Sequence, residues 1–170
     1  MKFRILSIIL ILTSYQGAQA ATPAIEGAFG IKLGETLKAD YKKGEVYTKV
    51  GTLFFIDPPV KNEHFNEYAV LITKTTNKIH SIYAEKEQKT INCEAELLKV
   101  KTSLEKLYGV LAENDKIYTV KQMDREINLT CKVSRINADN ASLQIKYVDH
   151  KIDEEGRVKS NPDRRDTKGL

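Results

Sequence analysis

Apolar and polar positions alternate along several stretches of this 170-residue chain and recur at helical spacing in only one. Residues 29–34, Phe-Gly-Ile-Lys-Leu-Gly, alternate at period two and predict a half-buried strand ended by Gly34. Segments 45–50 and 52–57 are rich in Val, Tyr, Thr, Phe and Ile. Gly51 between them leaves two strands or one bent strand equally open. Asp57-Pro58-Pro59 ends the run, because proline cannot donate to a ladder. Residues 68–73, Tyr-Ala-Val-Leu-Ile-Thr, are apolar on both faces, as in a central strand covered on both sides. A turn at Thr75-Thr76-Asn77 returns the chain as a strand over 78–85, with Ile79 and Tyr83 expected on one face.

The helical spacing falls on residues 93–108. Cys93, Leu97, Val100, Leu104 and Leu107 form one stripe, while Lys99, Lys101, Glu105 and Lys106 lie away from it. Asn92 is the expected N-cap and Gly109 the expected C-terminal stop. A short strand follows over 116–121. Residues 126–135 then alternate, with Ile127, Leu129, Cys131 and Val133 facing one way. After Asn137-Ala138-Asp139-Asn140 the alternation resumes at Leu143, Ile145 and Tyr147, so the pair predicts a second hairpin with one buried face. Strands, one helix, then strands give an α+β domain: a mostly antiparallel sheet with one amphipathic helix packed on its apolar face.

The two ends of the chain read differently. Lys2 and Arg4 precede eight apolar residues, 5–12, and a polar stretch ends in Ala18-Gln19-Ala20, the order of a cleaved secretory signal peptide. Eight residues span about 12 Å as a helix, too little for a bilayer core, so a membrane anchor is not expected. Residues 21–28 read as a loose lead. Eleven of the last twenty residues are charged and carry no apolar stripe, which predicts a flexible tail over 151–170, with a short frayed helix as the lesser alternative. The expected organisation is a signal peptide at 1–20, a single domain at 21–150 and the tail.

Composition narrows the function classes. The chain has 27 basic and 23 acidic residues; two of the basic ones, Lys2 and Arg4, lie in the leader, which leaves the mature chain at +2. Lysines and acids are interleaved without a basic stripe, so nucleic acid is not an expected partner. The two cysteines, Cys93 and Cys131, are too few for a cysteine-based metal site. In an exported chain they most simply form one disulfide, and both fall on predicted buried faces. That bond would close a loop of about 39 residues. A reactive thiol at the helix N-terminus is the alternative, but there is no Cys-x-x-Cys motif.

Catalytic signatures are not found. His64, His80 and His150 have no metal-ligand spacing, no serine sits in a Gly-x-Ser-x-Gly setting, and Gly27, Gly30 and Gly34 lack the context of a phosphate loop. No cofactor is implied. Tyr83, Tyr108 and Tyr147 fall on predicted core faces, which leaves Tyr41, Tyr47 and Tyr118 as candidate surface anchors.

The opening Phe29-Gly30-Ile31-Lys32-Leu33-Gly34-Glu35 resembles that of a group of small Sec-exported proteobacterial periplasmic proteins of unknown function. The hairpin over 68–84, the cysteine-led helix ending Leu107-Tyr108-Gly109 and the terminal Gly169-Leu170 extend the resemblance. The opening is also similar to that of envelope-assembly lipoproteins of the BamE type, whose lipobox cysteine this chain lacks. The resemblance implies a bacterial periplasmic location and no activity. The expected function is therefore a small soluble periplasmic protein without enzymatic activity. It would bind another envelope or periplasmic protein as an inhibitor, immunity or envelope-accessory module. Carriage of a small apolar ligand or lipid is the alternative, and a hydrolase with an unseen site comes third.

Overall fold

The computed structural model describes residues 22–48 and 51–160, the last three as backbone only. The leader read at 1–20 and the end of the tail at 161–170 lie outside the described residues. The first strands among the described residues are β1 (Gly27–Ala28) and β2 (Ile31–Lys32), two residues each, paired as a hairpin. Phe29 and Gly30, with φ 57° and 76°, form its turn, so the strand expected over 29–34 shortens to β2 behind a tight reversal. The turn aims Phe29 at Phe65, Tyr68 and Tyr147, each edge-on at 5.0–6.2 Å.

The strands that follow are β3 (Lys42–Tyr47), β4 (Thr52–Ile56), β5 (Glu67–Ile72) and β6 (Ile79–Lys89). Helix α1 (Thr90–Tyr108) comes next, then β7 (Ala112–Asn114), β8 (Ile117–Gln122), β9 (Arg125–Val133) and β10 (Asn140–Asp149). Helix α2 (His150–Ser160) closes the described chain. β3 to β10 form one antiparallel sheet in the order β3-β4-β5-β6-β10-β9-β8-β7. The last strand thus enters the middle, where β10 joins β6 to β9. Around Gly51 the open choice resolves to two strands, since Tyr47 pairs with Thr52 and the Thr48 amide donates to the Gly51 carbonyl.

Register sorts the side chains into two faces. Leu129, Ile145, Ala84 and Tyr68 lie opposite one another across β9, β10, β6 and β5 on the face that receives α1. Cys93, Leu97, Val100 and Leu104 of α1 are buried against it. Thr130, Gln144, Glu85 and Glu67 line the other face at the neighbouring register. The fold is the expected α+β arrangement, with five further local differences.

The helix begins at Thr90, two residues before the expected cap. Thr90 is held by the β9–β10 loop, its amide donating to the Asp139 carbonyl and its hydroxyl to the Ala138 carbonyl, so a tertiary contact replaces Asn92 as the start signal. At the other end Leu107 is 53% exposed, off the buried stripe expected for it, while Gly109 ends the helix at φ 88° as expected. The lead is not loose: Ile25 is buried, the Gln122 side chain accepts its amide hydrogen, and Arg125 donates to its carbonyl. Residues 150–160 form α2, so the helical alternative holds where a flexible tail was expected. Buried Gly156 packs on Thr73, and the Asp149 carboxylate accepts from the Ile152 amide while pairing with Arg125.

The fifth difference is in β6. Ile72 pairs with Ile79 and Leu71 with Ser81, so His80 is an extra, bulged residue. The bulge inverts the alternation. Ile79 stays with Ile82 in the core under α1, and Tyr83 moves to the open face, away from the core face expected for it.

Candidate functional site

The sheet face away from α1 is the candidate site. Its side chains come from alternate positions of β5, β6, β9 and β10, and strand register places the polar Glu67, Glu85, Glu87, Gln144, Ser142, Thr130 and Lys132 on it. A groove of about 950 Å³ crosses this face beside the β9–β10 hairpin end. Glu85 and Glu87 supply its acidic side, Lys89, Lys132 and Arg135 its basic side, and Ile136 an apolar rim; Val133 borders the groove, but register turns its side chain toward the α1 face. Ile136 is 99% exposed, in the loop that Thr90 anchors. Gln144 donates to Glu85 at 3.0 Å, and Lys89 donates to Asn140 at 3.3 Å.

Glu85 also borders a second, smaller cavity. Ala69 of β5 lies between Phe55 of β4 and Tyr83 of β6 in direct register, leaving a notch of about 60 Å³ walled by two aromatic rings. The notch exists only because the bulge at His80 brings Tyr83 to this face. Alternation counted along 78–85 alone puts the ring in the core.

The disulfide joins Cys93 of α1 to Cys131 of β9, with the Cα atoms 5.9 Å apart. Cys93 is fully buried, so the bond is a staple between helix and sheet. It leaves no free cysteine among the described residues, which removes the reactive-thiol alternative.

The three histidines occupy separate places. His64 Nδ1 lies 2.6 Å from Glu96 Oε2, and Lys99 donates to the other Glu96 oxygen at 3.0 Å. The Lys99 hydrogen bond, then that of His64, holds the Glu96 carboxyl below the usual carboxylate range. His150 meets Glu126 at 3.2 Å. Burial pushes the Glu126 carboxyl up, and hydrogen bonds from Asn128, Lys121 and His150 outweigh it and hold the group low. Among the described residues no group of three or more His, Cys, Asp or Glu side chains is placed to hold a metal ion.

His80, Ser81 and Asp153 bring together the residue types of an acyl-transfer triad. Acyl transfer needs the hydroxyl on one ring nitrogen and the carboxylate on the other. Here both approach Nδ1, Ser81 Oγ at 3.3 Å and Asp153 Oδ1 at 3.6 Å, while Nε2 is buried without a hydrogen-bond partner. The trio is instead a junction that docks α2 on the bulge of β6. Burial lowers the His80 pKa; Asp153 and Asp149 oppose this, and Lys146 and Arg157 add to it. The folded protein therefore holds a neutral ring, whereas the unfolded chain takes up a proton below about pH 6.5. This contribution to stability is complete above that pH and is lost as the pH falls, until the folded ring also protonates. Urea midpoints taken from pH 7.5 to 5 are expected to decline, and His80→Gln is expected to flatten that decline. An unchanged slope in the variant would assign the acid sensitivity elsewhere.

Of the tyrosines read as surface anchors, Tyr47 is exposed on β3 and donates to Glu45. Tyr41 and Tyr118 are half-buried, with Lys38 and Lys101 over their rings. None of the three borders the groove or the notch. Among the described residues no helix is long and apolar enough to cross a membrane. No protein-family model, no curated protein and no solved structure matches the chain.

Proposed function

We propose that this chain is a periplasmic, non-enzymatic protein-binding module, an inhibitor, immunity or envelope-accessory partner, that engages another envelope protein through the open sheet face. The observation that carries this reading is the groove beside the β9–β10 hairpin, where charges of both signs surround the exposed Ile136. Protein interfaces combine an apolar centre with a polar, charge-patterned rim. A nucleic-acid groove would line its walls with cations alone, and Glu85 and Glu87 oppose that. The disulfide is in keeping with export. Carriage of an apolar ligand between helix and sheet gains no support from the packing there, where Leu97, Val100 and Leu104 are all buried.

The test is affinity capture from periplasmic extract with the mature chain. A partner recovered at near-native stoichiometry is expected with the wild type and with Met123→Asp, at the far end of β9, and not with Ile136→Asp. Recovery of no specific partner, or equal recovery by Ile136→Asp, would overturn the assignment.

A further inference from the structure

We propose that the notch on the open face is a socket for a basic side chain, preferentially arginine, of the partner protein; the inference rests on the protein-binding reading above. Phe55, Ala69 and Tyr83 stand directly opposite one another on β4, β5 and β6. The two rings therefore rise on either side of a methyl floor, at positions two strand spacings or about 9–10 Å apart. Phe55 is 44% exposed, an unusual exposure for a phenylalanine in mid-strand. Lys146, the β10 partner of Tyr83 on the strand across from Ala69, has its ammonium 5.2 Å from that ring. Tyr83 also lines the notch.

The rim carries the charge. Glu67 and Glu85 are direct register partners on this face, and like charges directly opposite destabilise a sheet. Neither forms an ion pair among the described residues, and Gln144 supplies Glu85 with a neutral hydrogen bond only. Two carboxylates that form no ion pair among the described residues, over an aromatic-walled notch of about 60 Å³, complement a flat cation. Guanidinium meets both demands, since its faces stack on aromatic rings and its edge donates to carboxylates. An ammonium group meets only the charge. The continuous border through Glu85 places the socket at one end of the larger groove, where a single side chain would anchor a partner lying along β6 and β10.

The probe is N-acetyl-arginine amide, titrated into the isotope-labelled mature protein and followed by NMR. Its neutral isostere, N-acetyl-citrulline amide, is the control. Saturable shifts at the Ala69 methyl and the Phe55 and Tyr83 rings are expected with arginine at millimolar concentration, with at least tenfold weaker binding of citrulline. Glu67→Gln/Glu85→Gln, which relieves the repulsion without changing shape, is expected to weaken arginine at least tenfold. Ala69→Leu, which fills the notch, is expected to abolish it. Equal binding of citrulline, unchanged affinity in the double variant, or shifts outside the notch would overturn the socket. Capture of the partner unaffected by Glu67→Gln/Glu85→Gln would remove the socket and keep the protein-binding reading. Arginine binding in the notch with no partner captured would do the reverse.

Discussion

Replacing both cysteines with alanine (C93A/C131A) is expected to lower the free energy of unfolding by about 4 kcal/mol. The bond spans a sequence separation of 38, and the loop it closes contains most of α1 and all of β7 and β8. Cutting it restores the entropy of that loop to the unfolded chain, which the chain-entropy treatment sets at about 4 kcal/mol. Natural domains have only about 5–15 kcal/mol in total, so the variant should lie near the threshold of stable folding. Urea unfolding of the oxidised wild type and the double variant measures the difference. Dithiothreitol should bring the wild type close to the variant and leave the variant unchanged. A difference below about 1 kcal/mol would mean that the packing of Leu97, Val100 and Leu104 holds α1 without the bond.

Gly156→Ala should destabilise by about 1–3 kcal/mol, against the usual sign for a helix. In an exposed helix interior the same change gains up to about 1 kcal/mol. Here an added Cβ would stand 2.6 Å from Thr73 Cγ2 and 3.0 Å from Thr73 Cβ. Thr73 is buried, and its hydroxyl is bound to Thr76 and to the Lys78 amide, so it cannot yield by rotating. The clash would lift α2 from the end of the sheet and expose His80. Thr73→Ser removes the offending methyl and keeps the hydroxyl, so the pair Gly156→Ala/Thr73→Ser should recover most of the loss. Hydrogen exchange at the α2 amides locates the effect. A neutral or stabilising Gly156→Ala would show that α2 is not packed on Thr73 in solution.

Both results bear on the open face, because α1 and α2 shape the sheet from opposite directions. The staple keeps α1 on one face, which leaves the other to Glu85, Gln144 and the groove. α2 covers the bulge at His80, whose extra residue directs Tyr83 into the notch.

The sequence alone was sufficient for what depends on short range. Alternation at 126–135 and at 143–147 has period two because successive strand side chains point to opposite faces, and both segments are strands. The stripe from Cys93 to Leu104 has helical period for the same kind of reason, and it is the buried face of α1. Two cysteines on two apolar faces could meet once helix lay on sheet, and they do. Where the decision depended on partners distant in the chain, local pattern failed. Thr90 starts α1 because the loop at Ala138 and Asp139 receives it. Ile25 is fixed by residues nearly a hundred positions away. α2 forms over a charged segment because Gly156 finds Thr73 and Asp153 finds His80. Above all, the bulge at His80 exists only as a mismatch between β5 and β6, so no alternation read along β6 alone can place Tyr83. Strand and helix periods are properties of one segment. Register, and with it the composition of the open face, is a property of the pairs.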